Sequence, residues 1–227
     1  MTADGADQEP QTQSQKVATA IRRVEESQVR FDRAIETLDD ATARRPSLLP
    51  GWTVGHVLSH VARNADSHVH RSEAAACGLV VEQYAGGRPG RAAAIEAGAS
   101  RSATALVSDV RDSGAAVVAC WWSLEEPVWA NTVTGVAGRE HALWWLPGRR
   151  WQELEIHLVD LGIGITFEDW PEDFVSDRLG ALRPKLRARL ARGAAMPAEG
   201  SLSDREELAW MFGRFDRADL PQLESWE

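Results

Sequence analysis

The stretch Arg149-Arg150-Trp151-Gln152-Glu153-Leu154-Glu155-Ile156-His157-Leu158-Val159-Asp160-Leu161-Gly162 reads as one amphipathic helix with an unusual inward face. At about 100° per residue, Glu153, His157 and Asp160 fall on a single narrow stripe. Ile156 borders that stripe on one side, and Leu161, Leu154, Leu158 and Trp151 border it on the other. The stripe is therefore expected to face a protein interior, with Gln152 and Glu155 turned to water. Pro147-Gly148 before it and Gly162 after it bound the helix to about 149–161. Buried polar groups need partners, and an acid and an imidazole at i and i+4 can find them in each other, in other side chains or in a metal ion. The helix alone leaves all three open.

Upstream, Val17, Ile21, Val24, Phe31, Ile35 and Leu38 recur at helical steps and predict a helix over about 14–40. Pro46 and Pro50-Gly51 break the chain. Thr53 then stands as an N-cap before Val54, Val57, Leu58, Val61, Ala62 and Ala65, which predicts a second helix to about Ala76. The glycine-rich segment 78–90 reads as a loop, and Ile95, Ala99, Leu106, Val110 and Val117 as a third long helix ending near Trp122. The β-branched run within 127–138 suits an extended crossover or a short hairpin. Four helices with one long connection pack naturally as a four-helix bundle over residues 14–168. Ahead of it, polar residues 1–13 read as a disordered tail. Beyond it, residues 169–227 offer helical patches at 174–192 and 204–212, a small, mainly helical appendage. The fold expected is mostly α.

The formal net charge of −9 and the absence of any basic cluster beyond Arg-Arg pairs argue against nucleic acid or an anionic membrane as partner. No run approaches the roughly 20 apolar residues of a spanning helix, and the start lacks a signal-peptide core, so a cytoplasmic location is expected. Cys77 and Cys120 form no metal or redox spacing and are expected to be small buried side chains. Ten tryptophans accompany one tyrosine. The mid-chain group Trp121-Trp122, Trp144-Trp145 and Trp151 suits either core packing or the wall of a ligand cavity.

On the second helix His56 and His60 are also spaced i, i+4, but their stripe lies roughly 130° from the centre of that helix's apolar face. Read locally, they are solvated. His68, His70 and His141 read as surface or capping residues.

Two separated segments, Ser47-Leu-Leu-Pro-Gly-Trp-Thr-Val-Gly-His-Val-Leu-Ser-His-Val-Ala-Arg-Asn-Ala65 and Arg150 to Gly162, together resemble the mycothiol-dependent maleylpyruvate isomerase family, a branch of the DinB-like metal-binding four-helix bundles. The resemblance runs from Ser14 to about Glu168. It implies that His60, Glu153 and His157 are the ligands of one divalent metal, zinc being expected, and makes Asp160 a candidate to orient a ligand or contact a substrate. Family members often carry a C-terminal α/β domain whose last helix ends in a Gly-Arg that serves the isomerase. Here Ala209-Trp-Met-Phe-Gly-Arg214 looks like that helix without the preceding strands, which makes Arg214 the candidate catalytic cation. Its plain alternative is a cation at a helix C-terminus.

A His₂Glu set leaves a coordination position open, as catalytic zinc sites do. The resemblance implies that the thiol of mycothiol occupies it as thiolate. Addition to the cis double bond of maleylpyruvate would give an enolate with a rotatable single bond, and expulsion of the thiol would then give trans fumarylpyruvate. Arg214 or Arg63 would hold a carboxylate and the enolate. The same bundle and triad serve thiol S-transferases acting on other electrophiles, and a non-catalytic metal-binding bundle would keep the ligands too. Small-molecule partners and a monomer or homodimer are expected.

Overall fold

A computed structural model describes residues 11–191 and 194–224. The expected tail lies, over residues 1–10, outside the described residues. Thr12 already caps a helix, its hydroxyl accepting from the Gln15 amide while the Gln15 side chain returns to the Thr12 amide.

That helix, α1 (Gln13–Ala34), buries Val17, Ile21, Val24 and Phe31. It is shorter than the apolar pattern suggested. Asp39 takes over as the N-cap of a separate short helix, α2 (Asp40–Arg44), by accepting from the Thr42 amide. After the Pro46–Thr53 turn comes α3 (Val54–Ala76), capped by Thr53 as expected.

The segment read as loop followed by one long helix is instead two helices, α4 (Gly87–Ala99) and α5 (Ala103–Ser123). Ser102 separates them because its hydroxyl accepts from the Ala105 amide and starts a new helix. The split lets α4 lie directly against α3. A side chain on Gly55 would meet the Ala99 carbonyl at 2.4 Å, so the close approach of the two backbones requires that glycine, and one on Gly98 would meet the Ser59 side chain, its hydroxyl at 2.2 Å.

A 3₁₀ turn (Glu126–Ala130) leads into a short antiparallel hairpin, β1 (Thr132–Thr134) with β2 (Glu140–Ala142), in the register Val133 opposite His141. The helix α6 runs from Trp145 to Asp160 and begins earlier than expected. Pro147 sits in its first turn, where no amide hydrogen is needed. Gly162 closes it at φ +64°.

The four long helices α1, α3, α5 and α6 form the bundle. The helix α3 packs on α4, α5 and α6, and α1 packs on α5 and α6. Their apolar faces meet in one core that includes Leu58, Val61, Leu106, Val110, Leu154 and Leu158. The chain continues through α7 (Glu172–Leu186) and α8 (Asp204–Met211), whose Phe174, Leu179, Leu208 and Met211 join the same core. No strand precedes α8 among the described residues past 169, as the sequence suggested.

Two expectations fail, those for Glu155 and for the cysteines, and the tryptophans divide. Glu155 was placed in water by the helical wheel, yet it is 1% exposed. α1 covers that side of α6, and Glu155 accepts there from Ser27 and, at 2.6 Å, from Arg30. Neither cysteine is buried: Cys77 is the exposed first residue past α3, and Cys120 is half-buried. Of the mid-chain tryptophans, Trp121 and Trp151 are core, while Trp122 and Trp144 are 46% and 47% exposed. No helix among the described residues is long and apolar enough to cross a membrane.

Candidate metal centre

The inward stripe of α6 meets α3 at its middle, and there His60, Glu153 and His157 come together. His60 Nε2 lies 3.1 Å from Glu153 Oε2 and 3.0 Å from His157 Nε2, and the remaining edge, from His157 Nε2 to Glu153 Oε2, is 3.3 Å. The two imidazoles meet edge to face at 88°. His60 is 3% exposed, so the local reading of a solvated histidine is overturned. The face of α3 that carries it is closed by α6 on one side and by α4 on the other, neither of which a wheel of α3 can represent.

His56, one turn earlier, has a different place. Its Nδ1 meets the Thr53 hydroxyl and amide, completing the cap of α3, and its Nε2 meets Glu96 of α4 at 3.1 Å. Trp52 stacks on His56 and turns its ring edge-on to His60 at 5.7 Å, which makes it the tryptophan that walls the cluster. His68 is 1% exposed and stands edge-on to Trp121; it is a core histidine and not a surface one. His141 stacks flat on Trp145 at 3.8 Å, and His70 is exposed.

Each member of the cluster is held from behind. Asp160, 1% exposed, takes His157 Nδ1 at 2.8 Å and is itself gripped by both Nε and Nη2 of Arg214, at 2.9 and 2.7 Å. Arg149 reaches Glu153 Oε1 at 3.5 Å, and Arg91 of α4 donates to His60 Nδ1 at 3.1 Å. Arg91 and Arg149 were not foreseen. Arg149, four residues before Glu153, carried a readable i, i+4 signal; Arg91, in an alanine- and glycine-rich segment, carried none. Arg63 is engaged elsewhere, by Asp66 and Asp109.

Burial dominates the protonation of the group. It pushes His60 down to about 4 against the opposing hydrogen bond of Glu153, with the charges of His157 and Arg91 adding to the fall. For Glu153 burial works upward, but hydrogen bonds from His157 and His60 prevail and hold it well below the usual carboxylate range. For His157 burial works downward and is outweighed by the bonds to Asp160 and Glu153, which raise it. Asp160 is likewise desolvated, and His157 and Arg214 keep it low.

The donor set fits a metal ion. With bonds of about 2.0–2.1 Å to nitrogen and oxygen, neighbouring corners of a tetrahedral zinc shell stand about 3.3 Å apart, close to the three edges seen here. Asp160 takes the Nδ1 proton of His157, so Nε2 is the nitrogen that would give up its proton and offer its lone pair to a metal. Two imidazole nitrogens and one carboxylate oxygen would fill three corners and leave the fourth to an outside ligand.

Bundle and cluster together define a DinB-like four-helix protein with a His/Glu/His group between two of its helices. The family model of the mycothiol maleylpyruvate isomerase N-terminal domain matches residues 24–162, and the chain belongs to that family. Among solved structures, the chain is similar to a mycothiol-dependent maleylpyruvate isomerase at 23% identity, over 87% of this chain and 89% of that one, with a TM-score of 0.77. A mutant of an enzyme so described matches equally well. YfiT from Bacillus subtilis, described as having an unusual four-helix bundle topology, is similar at 17% identity over 68% of this chain and 88% of its own, with a TM-score of 0.54. No curated protein matches the chain.

Proposed function

We propose that this protein is a metal- and thiol-dependent isomerase that converts maleylpyruvate to fumarylpyruvate with mycothiol as cosubstrate, and that His60, Glu153 and His157 hold the metal, zinc being the expected ion. The observation that carries the reading is the meeting of three ligand atoms within 3.3 Å of one another in a chain of this family. Bound there, a divalent metal holds a thiol as thiolate at neutral pH without a separate base.

The chain's own residues do the rest. Asp160 fixes the proton of His157 on Nδ1, so that Nε2 is the atom presented to the site. His60, neutral at pH 7 because burial lowers it, adds no charge to the ligand set, and Glu153 supplies one negative charge. Arg91 and Arg149, bonded to His60 and Glu153, would turn to the carboxylates of the substrate and the enolate oxygen when released from those side chains. Sulfur adds to one alkene carbon as the π electrons move to the carbonyl oxygen. After rotation the electrons return, the C–S bond breaks, and the thiol is regenerated.

The decisive experiment supplies zinc-loaded protein with mycothiol and maleylpyruvate and follows both the ultraviolet spectrum and the free thiol. Conversion with thiol constant is the expected result. The second reading, a mycothiol S-transferase acting on another electrophile, is favoured by one observation: Arg214 is committed to Asp160, which leaves fewer cations to hold an enolate. In that case free thiol falls in proportion to product.

A further inference from the structure

We infer that Arg214 is a positioning residue for His157, acting through Asp160, and does not touch the substrate; the inference rests on the metal-site reading above. Three observations carry it. First, the guanidinium is engaged on three sides: Nε and Nη2 form a two-pronged pair with Oδ1 and Oδ2 of Asp160, and Nη1 donates to the carbonyl of Phe212. A two-pronged arginine–carboxylate pair fixes orientation as well as distance.

Second, Asp160 is enclosed. It is 1% exposed, and Arg214 and His157 are the side chains bonded to its carboxylate among the described residues. Remove the fork and the carboxylate keeps only the bond to His157 Nδ1, with its own rotation no longer fixed. The ring then depends on an acceptor that is free to turn away, and its proton is no longer fixed on Nδ1. The other tautomer carries the proton on Nε2 and cannot bind a metal through that atom.

Third, Arg214 is delivered by a built turn. Gly213 adopts φ +69° after α8, a left-handed conformation that lets the Arg214 amide bond back to Ala209 at 2.8 Å and the Gly213 amide to Trp210 at 3.0 Å. Phe212 packs edge-on against Trp170, whose indole donates to the Glu155 carbonyl of α6. The end of α8 is thus anchored to the helix whose ligand it braces, and the C-terminal region acts on the centre as a clamp.

The test uses the full chain with Arg214→Gln, Arg214→Lys and Asp160→Asn. Zn²⁺ affinity is measured by competition with a chromophoric chelator, and histidine tautomers by ¹H–¹⁵N correlation in the metal-free protein. Asp160→Asn is expected to weaken Zn²⁺ binding about 10–100-fold and Arg214→Gln about tenfold, with Arg214→Lys between Arg214→Gln and wild type. The His157 Nδ1–H signal, expected to be sharp in wild type, should broaden or shift in Arg214→Gln. A role limited to docking α8 would lower the melting temperature and leave the tautomer untouched. Should Arg214→Gln fail to fold, Arg214→Lys decides. Wild-type Zn²⁺ affinity and tautomer in the Arg214 variants, with turnover lost, would overturn the clamp and return Arg214 to the substrate. Failure of the wild-type protein itself to bind Zn²⁺ would instead overturn the metal centre, and the tautomer measurement would still judge the clamp.

Discussion

Arg91 Nη2 donates to His60 Nδ1 across 3.1 Å, and because a guanidinium has no lone pair, that ring nitrogen is the acceptor. A neutral His60 in this arrangement carries its proton on Nε2, the atom turned toward Glu153 and His157. Metal binding must move the proton to Nδ1, opposite a cation, and so must displace Arg91. Arg91→Ala should therefore bind Zn²⁺ more tightly, by about three- to thirtyfold, from the loss of one charge-assisted hydrogen bond that is partly open to solvent. The same variant should show a raised KM for the dianionic substrate. Chelator competition and steady-state kinetics check the two arms, and weaker Zn²⁺ binding would refute this relation between the residues.

Glu153→Gln should keep the fold and lose the metal. The amide preserves the shape and can still bond to the histidines, but the charge that holds the cation is gone. The expected loss in affinity exceeds the roughly 10–100-fold typical of removing an outer partner. Metal content after dialysis, read alongside the circular dichroism spectrum, tests it. Unchanged content would remove Glu153 from the ligand set.

The metal-free protein should lose stability as the pH falls from about 6.5 to about 4. His60, lowered to about 4, and His68, lowered well below 6.5 by burial and then by Arg71, stay neutral in the fold while the unfolded chain takes up protons. His157, raised, has the opposite sign: its stabilisation is full below 6.5 and is lost as pH rises through its folded pKa. Glu153 and Asp160, both lowered, contribute above their unfolded pKa values and lose that contribution only as the pH falls through their folded ones. His68→Gln should flatten the decline by as much as about 1.4 kcal/mol per pH unit. Melting curves across this window would show an unchanged slope if the burial argument were mistaken.

Glu155→Ala should cost about 1–3 kcal/mol and leave metal binding intact. It leaves the Ser27 hydroxyl without its acceptor, while Arg30 keeps the Asp169 carbonyl and is partly reachable by water, which reduces the penalty. A urea titration measures the loss. A change below about 0.5 kcal/mol would mean that the pair adds nothing net.

Much of the bundle was legible because helix signals are local. Thr53 followed by apolar residues at steps of three and four gave α3 its start and its buried face, and Gly162 marked the end of α6. The break between α4 and α5 was also local, in Ser102, but the continuous apolar pattern across it hid the cap. Glu155 and His60 misled for a common reason. A wheel assumes one buried side, and helices such as α3 and α6 are covered from two or more directions. His60 joined the candidate site through the resemblance of its surrounding motif, whereas its position on the helix pointed to solvent.

By itself, the sequence determined where the long bundle helices lie and that Glu153, His157 and Asp160 share one face, since a spacing of three or four residues is set by the covalent geometry of a single helix. Tertiary structure decided that His60 and not His56 meets them, which in the sequence only the family resemblance had indicated, and it alone decided that Arg91 stands behind it and that Arg214 grips Asp160 from 54 residues away. Those distances depend on how closely helices approach, which Gly55 and Gly98 permit by lacking a side chain, and on which faces the neighbours cover. No periodicity within one segment can encode them.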